Sequence, residues 1–457
     1  MKRHFTYLIL SCIVLSLGAI ACKRAALEVA GVLFATADDF LENRPEGIPC
    51  DSDFSENTLN AQGELTFSQN HLLCVNVKLD SLDFETMRYE SRFGPSVRHK
   101  NGATVIAVFF EHFRQCDVPW PSEFNWYKGS IEVDGQVVQQ VGLRKKGFLG
   151  SIFSPAPSMR IQTDRYISGQ TLGTSTSITL NNNSEDPTRI RSSLNFLIFE
   201  KAGYPAPRCN LANVSINGEA FGAYSHLEAV DETFLQRAFG TASGHLYEGQ
   251  LADFEEEWLP RWDAKTELTD PLAGPVLDLA VALDASDNVL LDKLEKYLNI
   301  DQFITFWAME YLLDHTDGYS VGRNNFFVYF NPMDQNRAHF IPWGINYFEP
   351  VTGKDSITLE SFVKAQIPRR LSRHTEIADK FEQEVLCLLD EVWNEDELLQ
   401  LVDQLGQQVA LTQDNPNYED ELEELREWIV GRRSAVMQAI DEGLPEGAEK
   451  AARRCFL

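Results

Sequence analysis

The sequence is short of positive charge. It sets 40 Lys and Arg against 68 Asp and Glu, a formal net charge of −28. Such a surface repels the phosphates of nucleic acids and anionic lipid headgroups, so nucleic-acid binding is set aside and the surplus acid reads as a solvated surface. Zinc ligation has no support either, because the 8 cysteines form no CxxC pair and none of the 9 histidines stands at finger spacing. No G-x-S-x-G elbow appears and the histidines do not cluster, which leaves a serine-type hydrolase without a nucleophile. There are no internal repeats and no low-complexity tracts. The N-terminal apolar run, Phe5 to Ile20, is too short and too early for a membrane span.

Preceded by Lys2-Arg3-His4, that run reads instead as a secretory signal over residues 1–21. Ala19-Ile20-Ala21-Cys22 resembles a bacterial lipobox, with Cys22 as the lipidated first residue of the mature chain and a membrane anchor in the cell envelope. Simple cleavage to a secreted protein and a retained anchor are the alternatives. All three readings export the chain, and export permits disulfides. Cys50, Cys74, Cys116, Cys209, Cys387 and Cys455 remain for one or two bridges, with no pairing assignable from sequence. Cys387, in the run VLCLL, reads as a buried free thiol or a helix-face residue.

A chain of 457 residues, 44% of them hydrophobic, can bury a large core. Residues 22–68 read as a tether and lead-in, 69–446 as the folded domain, and 447–457 as a tail. Strand-like runs dominate at first, at Leu72–Val77 and Ala103–Phe110. Two hairpins follow, turned by Asp134-Gly135 and Asn217-Gly218 between alternating apolar residues. Between them Asp186 is placed to cap a helix with Pro187 at its first position. From about Pro275 the pattern is helical; Asp301 is expected to cap one helix, and a third hairpin from Phe326 to Trp343 interrupts the run. The last helix places Leu422, Leu425, Ile429, Val436 and Ile440 on one side. A strand-rich first half (about 69–250) and a helical second half (about 251–446) make an α+β plan with two lobes and a cleft between them. The aromatics around Trp120 and Trp126 read as core packing.

The chemistry concentrates between His315 and Phe348. Asp317 follows a long apolar helix, Asn324 and Asn325 open a strand, and the returning strand ends Pro342-Trp343-Gly344-Ile345-Asn346. Kinase-type phosphoryl transfer needs an Asp to take the acceptor's proton, an Asn on one metal ion, and an Asp on the Mg²⁺ that bridges the phosphates. Mg²⁺ asks for hard oxygen ligands, with one or two carboxylates among them. The final carboxylate is absent here. Read blandly, Asp317 is a turn residue and Asn325 caps a strand end.

The wider pattern resembles the spore coat protein H (CotH) kinase-like family. In order, the chain carries RKKG (Arg144 to Gly147), SMRIQTDRY from Ser158, LNNNSEDPTRIRSSL (Leu180 to Leu194) and GYPAPR (Gly203 to Arg208). VSINGEAFGAYSHLEAVD (Val214 to Asp231), GHLYE (Gly244 to Glu248), TDGY with NNFFVYF, IPWGINYF and IVGRRSAV complete it. The resemblance implies an atypical, two-lobed protein-kinase-like fold with an ATP site and Mg²⁺ or Mn²⁺, acting on envelope or extracellular proteins. It implies Asp317 as the catalytic acid–base residue and Asn325, less directly Asn324, as a metal ligand. Lys146, Arg144 and Arg160 become the phosphate-binding cations, Lys146 foremost, and Glu228 the acid that pairs such a cation. Arg189 and Arg191 either reach phosphate or pair with acids. Where the family writes Pro-Trp-Asp-x-Asp, this chain has Gly344 and Asn346; Asn346 still offers a neutral oxygen to a metal. Glu349 is a conceivable substitute. The family's lysine after Leu-Tyr is replaced by Glu248. Two functions follow, a divergent ATP- and metal-dependent enzyme or a pseudokinase without cofactor that serves as a surface binding or coat-type module.

Overall fold

The computed structural model describes residues 46–50, 58–97, 102–115, 117–121, 124–148, 153–266, 274–346 and 358–447. The signal, Cys22, Cys116, Cys455, Glu349 and all but the first residue of the tail lie outside them.

The chain mixes helices and strands in an α+β arrangement. After the two-residue β1 (Glu46–Gly47), β2 (Leu73–Leu79) leads into α1 (Ser81–Tyr89), capped by the Asp80 carboxylate, and α2 (Gly102–Phe113). β3 (Trp126–Val133), β4 (Gln136–Lys146), β5 (Ser158–Gln162) and β6 (Ser177–Asn181) follow as an antiparallel run. Beyond α3 (Arg191–Lys201), the hairpin β7 (Cys209–Ile216) and β8 (Glu219–Leu227) completes a closed seven-stranded barrel in the order β2-β3-β4-β5-β6-β8-β7. Only the β2–β7 seam is parallel. Alternation fills the interior with Val75, Val133, Leu143, Ile161, Leu180 and Val214, each contributing about 1.5–3 kcal/mol by burial.

Both expected hairpin turns form. Asp134 and Gly135 (φ 45° and 81°), like Asn217 and Gly218 (52° and 85°), take the double left-handed conformation that matches strand twist. The expected strand at Ala103–Phe110 is instead α2. Its β-branched residues suggested a strand, but Val105, Ile106, Phe109 and Phe113 fall at helical spacing and bury together against Phe93. Trp120 joins this cluster, whereas Trp126 lies under the guanidinium groups of Arg144 and Arg165. The segment read as a lead-in is docked on the barrel in its described parts. Glu46–Gly47 pairs with β13 (Gln413–Asp414), Cys50 is disulfide-bonded to Cys74, and Thr58 donates to Asp134.

The second half continues with α4 (Glu232–Phe239), β9 (His245–Gly249) and β10 (Trp262–Ala264). Next come α5 (Pro275–Leu283), α6 (Asp287–Leu294), α7 (Ile300–Leu312) and the single turn α8 (Tyr319–Gly322). The hairpin β11 (Phe326–Asn331) and β12 (Arg337–Pro342) adds to β9 and β10 as a four-stranded antiparallel sheet, β10-β9-β11-β12. Around it pack α9 (Gln366–Leu371), α10 (Thr375–Glu391), α11 (Glu395–Ala410) and α12 (Tyr418–Glu442). α12 buries Leu422, Leu425, Ile429 and Val436 as its periodicity requires. Cys387 faces outward from α10 as an exposed thiol rather than a buried one.

Two helix starts differ from expectation. Asn299, not Asp301, caps α7, because its side chain reaches the Gln302 amide at 3.0 Å while Asp301 sits inside the first turn. α3 begins at Arg191, since Arg189 has φ 60° and breaks any helix from Pro187. The Asp186 carboxylate still serves α3 across that gap, accepting from the Arg191 amide at 2.8 Å.

Candidate functional site

Asp317 stands on the loop joining α7 to β11, and a buried glutamate shapes that loop. Glu310, in the last turn of α7, accepts from the Tyr319 amide at 2.7 Å, the Ser320 amide at 2.9 Å and the Ser320 hydroxyl. Burial pushes its carboxyl up to about 7 even so. Gly318 lies so close that a Cβ there would sit 2.2 Å from Glu310 Oε1. A second strut runs from Asp253, which accepts from Tyr319 Oη at 3.0 Å and Arg323 Nε at 2.8 Å.

So fixed, the half-buried Asp317 carboxylate receives Asn325 Nδ2 at 2.6 Å and Asn324 Nδ2 at 3.2 and 3.3 Å. Asn325 adopts φ 53° and also bonds the Asp317 carbonyl, so the amide folds back over the loop. Burial pushes Asp317 up to about 6 against the opposing effect of the two amides. Glu185, half-buried on the loop before α3, is pushed up to about 8 by burial and by the charge of Asp317.

The returning strand delivers Trp343–Asn346 to the same place. The Trp343 amide donates to the Asn325 carbonyl at 3.1 Å, and buried Asn195 of α3 donates to the Ile345 carbonyl at 2.7 Å. Gly344 has φ 56°, and a Cβ on it would lie 2.5 Å from Asn325 Cγ and Oδ1. The family's acid therefore has no room at this position while Asn325 keeps its place. Asn346 is buried.

Lys146 approaches from the barrel, its Nζ 5.6 Å from the centre of the Trp343 ring. Burial pushes its ammonium down to about 8, with Glu248 acting against this. Burial also pushes the Glu248 carboxyl up, but the Lys265 ammonium at 2.5 Å and the Gln250 amide outweigh it and hold the group below its ordinary range.

Strand alternation sorts the RKKG run. Lys145 turns inward and is buried, donating to the Arg88 and Glu90 carbonyls, while Arg144 and Lys146 turn outward. Arg160 is the cross-strand neighbour of Arg144 on that outer face, and Arg144 also stacks 4.5 Å from Trp126. The three cations expected to bind phosphate thus share one face. Glu228 is elsewhere engaged, bonded to Arg208 at 2.8 Å and Arg237 at 2.6 Å; the acid that acts on Lys146 is Glu248. Arg189 donates to the Asn182 carbonyl, and buried Arg191 stacks on Trp428 among the charges of Asp186, Asp314 and Glu424.

The sequence reading missed Glu185, Glu248 as a partner and Glu310. Glu185 had a signal, as the free member of the pair Glu185-Asp186 in a segment already singled out. Glu310 had none, being one acid in an apolar helix.

The donors gathered here are hard oxygens, the Asp317 carboxylate and the amide oxygens of Asn325 and Asn346, and they suit a divalent cation of the Mg²⁺ or Mn²⁺ kind. Buried Asn195, which holds the Ile345 carbonyl through Nδ2, leaves its Oδ1 without a hydrogen-bond partner among the described residues. Asn325, through its Oδ1, and Asn346 are the residues that would hold the ion, leaving the Asp317 carboxylate beside it.

A domain built on this fold, with this loop and strand end, is of the CotH kind. The profile described as CotH kinase protein matches residues 143–436, more than half of the chain, and the chain belongs to this family. Among curated proteins it is similar to invasin CotH2 of Rhizopus delemar, 28% identical over 211 residues that make up 41% of this chain and 35% of that protein. Invasin CotH3 of the same organism is 28% identical over 202 residues, 39% of this chain and 34% of the relative. Spore coat protein homolog 1, also from it, is 26% identical over 170 residues, 34% and 27% of the two chains. The matched part spans only 27–35% of these relatives' lengths. Among the described residues no helix is long and apolar enough to cross a membrane.

Proposed function

We propose that this protein is an exported, lipid-tethered, kinase-like protein of the cell envelope that binds ATP with Mg²⁺ or Mn²⁺ in a cleft between its barrel and helical lobes. One observation carries the reading. Lys146, through Trp343, and Asp317, through Asn325, converge on the same short segment, Trp343–Asn346. In this scheme Lys146, Arg144 and Arg160 hold phosphate oxygens from the barrel side. Asp317 accepts the proton of an acceptor hydroxyl on an envelope or extracellular protein while that oxygen bonds the γ-phosphorus and the bond to the β-phosphate oxygen breaks, leaving ADP. A carboxyl at about 6 suits that role, being ionised at neutral pH yet basic enough to take a proton. A bound cation would neutralise charge on the phosphates as it transfers. The names of the relatives, invasins and a spore coat homologue, agree with a surface role.

A second reading keeps the fold as an inactive binding or coat-type module. It is favoured by Gly344, which offers no side-chain ligand and where a Cβ would press on the Asn325 amide. Calorimetry of the mature soluble domain with ATP, with and without Mg²⁺ or Mn²⁺, separates the two. Metal-dependent binding supports the first; no heat from folded protein leaves the second.

A further inference from the structure

Partly exposed cations of this acid-rich chain find acids in many places: Arg208 meets Glu64 and Glu228, Lys265 meets Glu248 and Asp263, and Arg426 meets Asp403 and Glu419. The outer face of β3, β4 and β5 departs from this. Val141, Leu143 and Ile161 fill the barrel, so the alternate positions face outward, and the register sets Trp126 across from Arg144 and Lys128 across from Gly142. Arg165, just beyond β5, folds back over the same face. A Cβ on Gly142 would lie 2.7 Å from Arg165 Cγ and 3.0 Å from Trp126 Cε3, so the glycine lets the arginine stem lie flat on the strand beside the indole. Two guanidinium groups then share one ring, Arg144 at 4.5 Å and Arg165 at 5.1 Å from the Trp126 centre. The Lys128 ammonium sits 5.4 Å from the centre of the Tyr166 ring. Lys128 and Arg165 are both exposed, and among the described residues neither forms an ion pair, not even with the neighbouring Asp164.

We propose that this face binds an acidic polypeptide segment, whose carboxylates meet Lys128 and Arg165. The planar Arg165 guanidinium suits both oxygens of a carboxylate, and its stacking on Trp126 orders it in advance, so little freedom is lost on binding. Charge decides the kind of partner. With a net charge of −28 the rest of the surface repels an extended anionic sheet, and a bilayer of acidic lipid would bring much of that surface close. A short acidic segment touches the cationic face alone. The aromatics agree, because Trp126 is half-buried beside its guanidinium groups instead of projecting as a membrane anchor does. The outward row runs from Gly142 through Arg144 to Lys146, and Lys146 lies against Trp343, so the docking face borders the candidate site.

Docking here needs neither nucleotide nor metal, and the test contains neither, so it can fail independently of the kinase reading. A fluorescein-labelled oligoglutamate peptide is titrated with the mature soluble domain and followed by fluorescence anisotropy, beside an oligoserine peptide and vesicles of phosphatidylglycerol. Saturable binding of the glutamate peptide alone is expected. It should be ~10-fold weaker in the double variant Lys128→Ala/Arg165→Ala. Binding should stay within about twofold of wild type in Lys293→Ala/Lys380→Ala, which removes two exposed lysines of the helical half. All four side chains are exposed, and circular dichroism verifies that both variants are folded. Absence of peptide binding by the wild type, equal loss in the two double variants, or retention within about twofold in Lys128→Ala/Arg165→Ala overturns the proposal. Binding to the vesicles and not to the peptide overturns it in favour of a lipid surface.

Discussion

The two arms that flank the β11–β12 hairpin have met opposite fates. The arm entering it, Asp317 to Asn325, is braced by Glu310 and Asp253 and keeps its carboxylate under two amide donors. The arm leaving it, Trp343 to Asn346, keeps its backbone anchors to Asn325 and Asn195 but has no acid. Position and charge are thus separable. The leaving arm keeps its anchored backbone course although no residue of it carries a charge.

Substitutions can break this contrast or sharpen it. The largest effect belongs to the entering arm. On the kinase reading proposed above, Asp317→Ala should lower phosphoryl transfer by about 10²–10⁴-fold with the circular dichroism spectrum unchanged. A drop of less than tenfold would place the proton acceptor elsewhere. On the leaving arm, Gly344→Asp should destabilise by about 1–3 kcal/mol, because it strains the backbone and displaces Asn325. Urea unfolding measures this, and unchanged stability would show that Asn325 yields readily. Glu310→Gln should cost about 1–3 kcal/mol, since the new NH₂ faces donors already aimed at a carboxylate. Equal stability of variant and wild type would mean the loop has another brace.

The smallest effect is in pH. Asp317, Glu310 and Glu185 are raised from ordinary values of 3.8, 4.5 and 4.5 to about 6, 7 and 8. Each holds its proton more tightly folded than unfolded, so the metal-free chain should lose stability as pH rises from about 4 to 8. Glu185→Gln should flatten the upper part of that slope, between about pH 6 and 8, in thermal melts. A slope identical to wild type would remove Glu185 from the field of Asp317.

Much of this was legible in sequence because it is local. Asp-Gly and Asn-Gly dictate their turns through left-handed φ, and α12 follows from period alone. Asp317 and Asn325 were visible because a loop after a long helix and the start of a strand keep them eight residues apart. Lys146 could be favoured only through resemblance, and its outward direction required the register of β4. α2 was misread because an apolar run rich in valine and isoleucine does not distinguish strand from helix until its neighbours are known. Glu228 was placed beside a phosphate cation, yet Arg208 and Arg237 meet it across the barrel's edge.

The sequence by itself determined the acidic surface, the hairpins, the family and the loss of two acids at Gly344 and Asn346, since each is written in composition or in a contiguous motif. Tertiary structure alone decided which charges meet. Glu185 and Asp317 are 132 positions apart, and Lys146 and Trp343 are 197 apart. No local rule links them; the charge of Asp317 reaches Glu185, and Lys146 reaches Trp343, only once the barrel closes and α3 packs against the strand end.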